Sequence, residues 1–80
     1  MPKDYRKTWN DRVAPKLIGR KIVGAKYMTT PEVEEMGWHC AALVITLDDG
    51  TELVPSRDDE GNDAGALFTS FDDLPIIPVI

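Results

Sequence analysis

Residues 41–55 read Ala41-Ala42-Leu43-Val44-Ile45-Thr46-Leu47-Asp48-Asp49-Gly50-Thr51-Glu52-Leu53-Val54-Pro55. A short run rich in branched aliphatic side chains stops at a turn sequence, and a second such run follows at once. That order is the signature of a β-hairpin, since a helix would need a longer pattern repeating every three to four residues. Asp48-Asp49-Gly50 fits a type I turn closed by a left-handed glycine bulge. The resulting three-residue loop sets Ile45 opposite Leu53 on one face. A two-residue loop at Asp49-Gly50 would pair Ile45 with Val54 instead; the three-residue form is the expectation.

Towards the N-terminus, Lys21-Ile22-Val23-Gly24-Ala25-Lys26-Tyr27-Met28 lies in a predicted strand over 20–29. Val23, Ala25 and Tyr27 face one way and Ile22, Lys26 and Met28 the other. Gly19 and Gly24 suit tight bends or a close backbone approach. Between this strand and the hairpin, residues 31–36 fit a turn or two of helix. Thr30 is placed to cap it, Pro31 suits its first position, Glu32, Glu34 and Glu35 sit near its positive end, and Gly37 suits a left-handed exit. Before the strand, Tyr5, Trp9 and Val13 recur every four residues. They predict a helix over 3–13 that ends where Pro15 disfavours helix at Ala14.

Beyond the hairpin, Arg57-Asp58-Asp59-Glu60-Gly61-Asn62-Asp63 is polar and turn-rich, so an exposed loop is expected. Ala66–Thr69 reads as a short fourth strand and Phe71–Leu74 as a turn. Pro75-Ile76-Ile77-Pro78-Val79-Ile80 reads as an edge or terminal strand, because its prolines lack donors. The predicted fold is mainly β (α+β): about five strands in a small antiparallel sheet curled into an SH3-like partial barrel, with an N-terminal helix and a short helical insertion. Residues 1–16 form a helical arm and 17–80 a small β domain. An α+β sheet with the helix packed across one face is the alternative.

At 80 residues, with 42 % hydrophobic and 29 % charged side chains, the chain has the composition of one globular domain with a small core. No apolar run reaches membrane-spanning length, and the basic start Met1–Lys7 has no apolar stretch behind it as a signal peptide would. The single cysteine, Cys40, excludes an internal disulfide. These features predict a cytoplasmic protein.

The net charge of −5 is unevenly spread: residues 1–26 hold eight of the nine basic side chains and two acids, Asp4 and Asp11. Residues 27–80 hold Arg57 and twelve acids. The simpler reading lays the basic end, Trp9 included, against the acidic body of its own fold; the alternative is a partner-binding arm. Single-stranded nucleic acid is a further alternative for that arm, with Tyr5, Trp9 and Tyr27 interleaved among the bases, whereas the acidic body repels nucleic acid.

Asp58, Asp59, Glu60, Asn62 and Asp63 offer oxygen ligands of the kind Ca2+ or Mg2+ takes, with Asp58, Glu60 and Asp63 as the metal candidates. The spacing does not match a calcium loop, however. Counted from Asp58, Asp63 stands where glycine belongs and Thr69 where the bidentate glutamate belongs. A solvated loop with incidental charge is the simpler reading, and no cofactor is expected. His39 and Cys40 are neighbours on a strand and point to opposite faces, so they make no dyad; Cys40 suits a half-buried site and His39 the surface. Ser56 lacks a base, and is expected to bond nearby backbone while Arg57 pairs with loop acids or receives an anion. No catalytic residue is assigned, and an enzyme ranks last.

Val23–Met28, the turn Glu35-Met36-Gly37-Trp38, Leu47-Asp48-Asp49-Gly50-Thr51 and the stretch Ser56–Phe68 together resemble a family of short uncharacterised bacterial proteins, a domain of unknown function. The resemblance covers residues 17–80 and is most recognisable at Ser56–Phe68. It implies a bacterial cytoplasmic protein with a self-contained domain. It carries no activity, and it draws attention to Ser56, Arg57 and Asn62 in the loop.

The leading functional expectation is therefore a non-enzymatic interaction module that binds a protein partner or forms a homodimer. Its candidate contacts are Tyr5, Trp9 and Val13 on the helix and Ile77 and Val79 on the tail, where a strand can be added to a neighbour. A divalent-cation domain is the second hypothesis.

Overall fold

The computed structural model describes residues 5–80. The elements in chain order are α1 (Tyr5–Leu17), β1 (Ile22–Tyr27), α2 (Thr30–Met36), β2 (Leu43–Leu47), β3 (Glu52–Leu53), β4 (Leu67–Phe68) and β5 (Ile76–Ile77). The first two residues of the helix expected over 3–13 lie outside the described range.

The hairpin forms with the expected register, Ile45 opposite Leu53 and Thr46 opposite Glu52. The Gly50 N–H donates to the Leu47 carbonyl at 3.0 Å, and the Leu47 N–H to the Thr51 carbonyl at 2.8 Å. Gly50 itself has φ 90°, the left-handed conformation that a side chain would strain. β1 adds antiparallel to β2, from Ile22 opposite Leu47 to Tyr27 opposite Leu43. Val23 drops out of this ladder, because the register shifts between Ile22 and Gly24. That bulge breaks the expected alternation at its first residue.

The five expected strands are present, but among the described residues they form two antiparallel sheets, β1-β2-β3 and β4-β5, and no closed barrel. The two helices also hold more of the chain than the five short strands do, so the fold is α+β rather than mainly β. The strand–loop–strand connection between the sheets is drawn tight by a bridge between Ser56 and Ala64. Gly65 is obligatory beside it: a Cβ there would stand 2.7 Å from both the carbonyl carbon and oxygen of Ser56.

α2 is capped by Thr29, not Thr30. The Thr29 hydroxyl accepts the Glu32 N–H, and the Glu32 carboxylate accepts the Thr29 N–H at 2.8 Å, a complete capping box. Gly37 closes the helix at φ 75°. α1 runs through Pro15 to Leu17 rather than stopping before it, and ends at Gly19 with φ 82°. Proline here costs one helical hydrogen bond, and the carbonyl it leaves, on Asp11, sits on an exposed residue within reach of water.

The core is small. Trp38, Ala42 and Ala64 form its centre, with Met28, Val33, Cys40 and Val79 packed against them. Among the described residues Val44 and Leu47 are the other buried apolar ones, and no large side chain is completely buried. The C-terminal tail completes this centre. Ile80 exchanges main-chain hydrogen bonds with Ala41, and the Pro78 carbonyl accepts from the Tyr27 hydroxyl at 2.8 Å.

Candidate functional site

The acidic loop is organised from within. Asp58 accepts the main-chain N–H of Glu60 and Asn62 and the Asn62 side-chain amide at 2.9 Å. Those bonds, led by the Asn62 amide, hold its carboxyl below the usual range. The Ser56 hydroxyl faces the carbonyls of Asp58 and Asp63 at 3.0 and 3.1 Å, so its proton is committed to backbone, as expected. The Arg57 guanidinium stands 3.8 Å from Asp58, an exposed pair that contributes little to stability.

Asp63 turns away from the other loop acids and joins the loop to the segment after α2. One carboxylate oxygen accepts the N–H of Ala64, His39 and Cys40 at 2.8, 3.1 and 3.4 Å. The other lies 3.1 Å from His39 Nδ1. The Ala64 and His39 N–H groups are the main reason that its pKa falls to about 2. Next to this clamp, the Trp38 indole N–H donates to the Gly61 carbonyl at 2.6 Å. Asp58, Glu60 and Asp63 therefore do not share one point. Among the described residues no group of three or more His, Cys, Asp and Glu side chains is placed to hold a metal ion. Cys40 is half-buried against the core and His39 is exposed.

Neither the Asp63–His39 link nor the place of Trp38 at the centre of the core has a direct signal in the sequence. Both join segments more than twenty residues apart. The small residues Ala64-Gly65 directly after Asp63 are the local hint that another backbone comes close.

The partner-binding candidates divide. Val79 packs on the core and Ile77 pairs with Leu67, so the tail is engaged with its own chain. The helix is not. No residue of α1 is buried, and Tyr5, Trp9, Val13 and Leu17 are 65, 55, 42 and 39 % exposed. This overturns the expectation that Trp9 packs on its own domain. The Arg12 guanidinium sits 4.9 Å from the centre of the Trp9 ring, a cation–π contact. In the connection after the helix, Arg20 of the basic end meets Asp48 and Asp49 of the acidic body at 3.8 and 3.6 Å.

Two grooves open on the body. A smaller one of about 340 Å³ borders α2 and includes Thr30, Glu34 and His39. Among the described residues no hydroxyl or thiol hydrogen-bonds to that imidazole. The larger groove, about 520 Å³, lies between α2 and the β2–β3 hairpin. Met28, Met36, Trp38, Val44 and Val54 line it together with three acids, Glu32, Glu35 and Glu52, and one base, Lys26. In the sequence Glu32 and Glu35 read as helix-terminal acids, and nothing there connects them with the hairpin.

Comparison with known protein families, curated proteins and solved structures gives no match for this chain. No helix among the described residues is long and apolar enough to cross a membrane.

Proposed function

We propose that this chain is a protein-recognition module and that α1 is its binding element. The observation that carries the reading is the exposure of the whole Tyr5-Trp9-Val13-Leu17 stripe. Spaced at i, i+4, these side chains share one side of the helix. An apolar stripe containing tryptophan and left open to water marks an interaction surface, because covering its remaining exposed area contributes about 25 cal/mol per Å² of apolar surface. Arginine stacked on tryptophan is a frequent pairing at the centre of interfaces. The loops of the body are fastened by Asp58, Asp63 and Trp38, which suits a scaffold that presents the helix.

The test is a photo-crosslinking amino acid placed at Val13 in the full chain inside cells, with Lys21 as the control position. A discrete adduct at residue 13, to another protein or to a second copy, is expected. The absence of any adduct at 13 beyond those at 21 overturns the reading.

A further inference from the structure

The occupant of the stripe can be narrowed by what the same chain offers elsewhere. Resting on α1 as the recognition element, we infer that two copies associate reciprocally, each laying its α1 into the groove between α2 and the β2–β3 hairpin of the other.

Charge is the first argument. α1 carries Arg6, Lys7, Arg12 and Lys16 against Asp11, while the groove carries Glu32, Glu35 and Glu52 against Lys26. Arg12 and Lys16 lie one turn apart beside Val13 and Leu17, so the basic groups flank the apolar stripe. The groove has the matching pattern: apolar side chains interspersed with acids. A pair of surfaces with opposite sign and a shared apolar centre is the general form of a steered interface.

Shape is the second. Met36 and Val54 are 56 and 40 % exposed beside the buried Trp38 and Val44, so the groove has an open apolar wall as well as a closed one. Methionine adapts to the side chain laid against it. A volume of about 520 Å³ is of the size that takes a few large side chains, such as an indole and its aliphatic neighbours.

Connectivity is the third. α1 joins the body at the Ile22 end of β1, whereas the groove is bordered by Lys26 and Met28 at the other end. No residue of α1 lines its own chain's groove, so stripe and groove are both left open to a second copy. Because each copy has one α1 and one groove between α2 and the hairpin, a twofold arrangement satisfies both contacts and closes the assembly.

The test is sedimentation of the full chain across a wide concentration range, with Arg12→Glu/Lys16→Glu and Glu35→Lys/Glu52→Lys variants. Glu32 is left intact because it caps α2. All four substituted side chains are exposed, and circular dichroism checks that each variant is folded. The wild type is expected to dimerise, and each charge-reversed variant to bind itself about tenfold or more weakly. An equimolar mixture of the two variants is expected to recover wild-type association, because each acidic helix then meets a basic groove. A wild type that is monomeric at every concentration, or a mixture that fails to recover, overturns the proposal. So does a monomer that binds phosphatidylglycerol vesicles through α1. An adduct from residue 13 to a different protein, without dimerisation, overturns the groove and leaves the recognition reading standing.

Discussion

The imidazole Nδ1 of His39 lies 3.1 Å from one oxygen of Asp63, while the other oxygen of the same carboxylate accepts the N–H groups of His39, Cys40 and Ala64. A single side chain therefore fastens the acidic loop to the segment that carries Trp38. Its pKa, lowered from 3.8 to about 2, means that the folded state favours the ionised form. Asp49, Asp58 and Glu32 are displaced in the same direction by their own main-chain and side-chain donors.

A depressed carboxyl pKa adds stability that is complete above the unfolded value and disappears as pH falls through the folded one. Urea unfolding midpoints are therefore expected to drop between pH 3.8 and about 2. Asp63→Asn is expected to be less stable at neutral pH and to lose less across that window. A variant whose curve runs parallel to the wild type throughout would show that Asp63 is not the group responsible.

Gly65→Ala and Gly24→Ala test the packing of the backbone at two glycines. At Gly65 the new methyl would meet Ser56 backbone at 2.7 Å, and backbone cannot swing aside as a side chain can. A loss of about 1–3 kcal/mol is expected from urea titrations. At Gly24 the nearest atom is Thr46 Cβ at 3.5 Å, ordinary contact, so the change is expected to stay within about 0.5 kcal/mol. Equal losses at the two sites would contradict the placement of the 55–65 loop.

The two tryptophans are expected to respond oppositely. Trp38→Phe removes the hydrogen bond to Gly61 and some core volume, and is expected to cost about 1–3 kcal/mol. Trp9→Phe is expected to leave the stability of the isolated chain within about 0.5 kcal/mol. In dilute solution acrylamide should quench the fluorescence of Trp9, measured in the Trp38→Phe chain, far more than that of Trp38, measured in the Trp9→Phe chain. Equal quenching would mean that Trp9 is covered.

The hairpin was legible because its turn chemistry is local: Asp48-Asp49-Gly50 marks the turn and leaves two loop lengths open, of which the structure has the three-residue form with Ile45 opposite Leu53. The ends of the helices were less so. Thr29 and Thr30 both have capping side chains, and the spacing to Glu32 selects Thr29, since the reciprocal pair needs the acid three residues on. Pro15 stops a helix only where the lost hydrogen bond matters, and on exposed α1 it does not. The clamp at Asp63, the central place of Trp38 and the groove were not legible, because each joins segments that are distant in sequence. The exposure of Trp9 depends likewise on where the rest of the chain folds, which the four-residue spacing does not encode.

The shallow core has a consequence for measurement. With five buried apolar residues among those described, two of them alanines, the net stability of so small a body is a narrow margin between large terms. Anything that covers the tryptophan-bearing helix adds to that margin by mass action. The melting temperature then works as a meter of occupancy: it climbs with the concentration of whatever seats on the helix and sinks on dilution, so a calorimeter can detect the ligand before its identity is known.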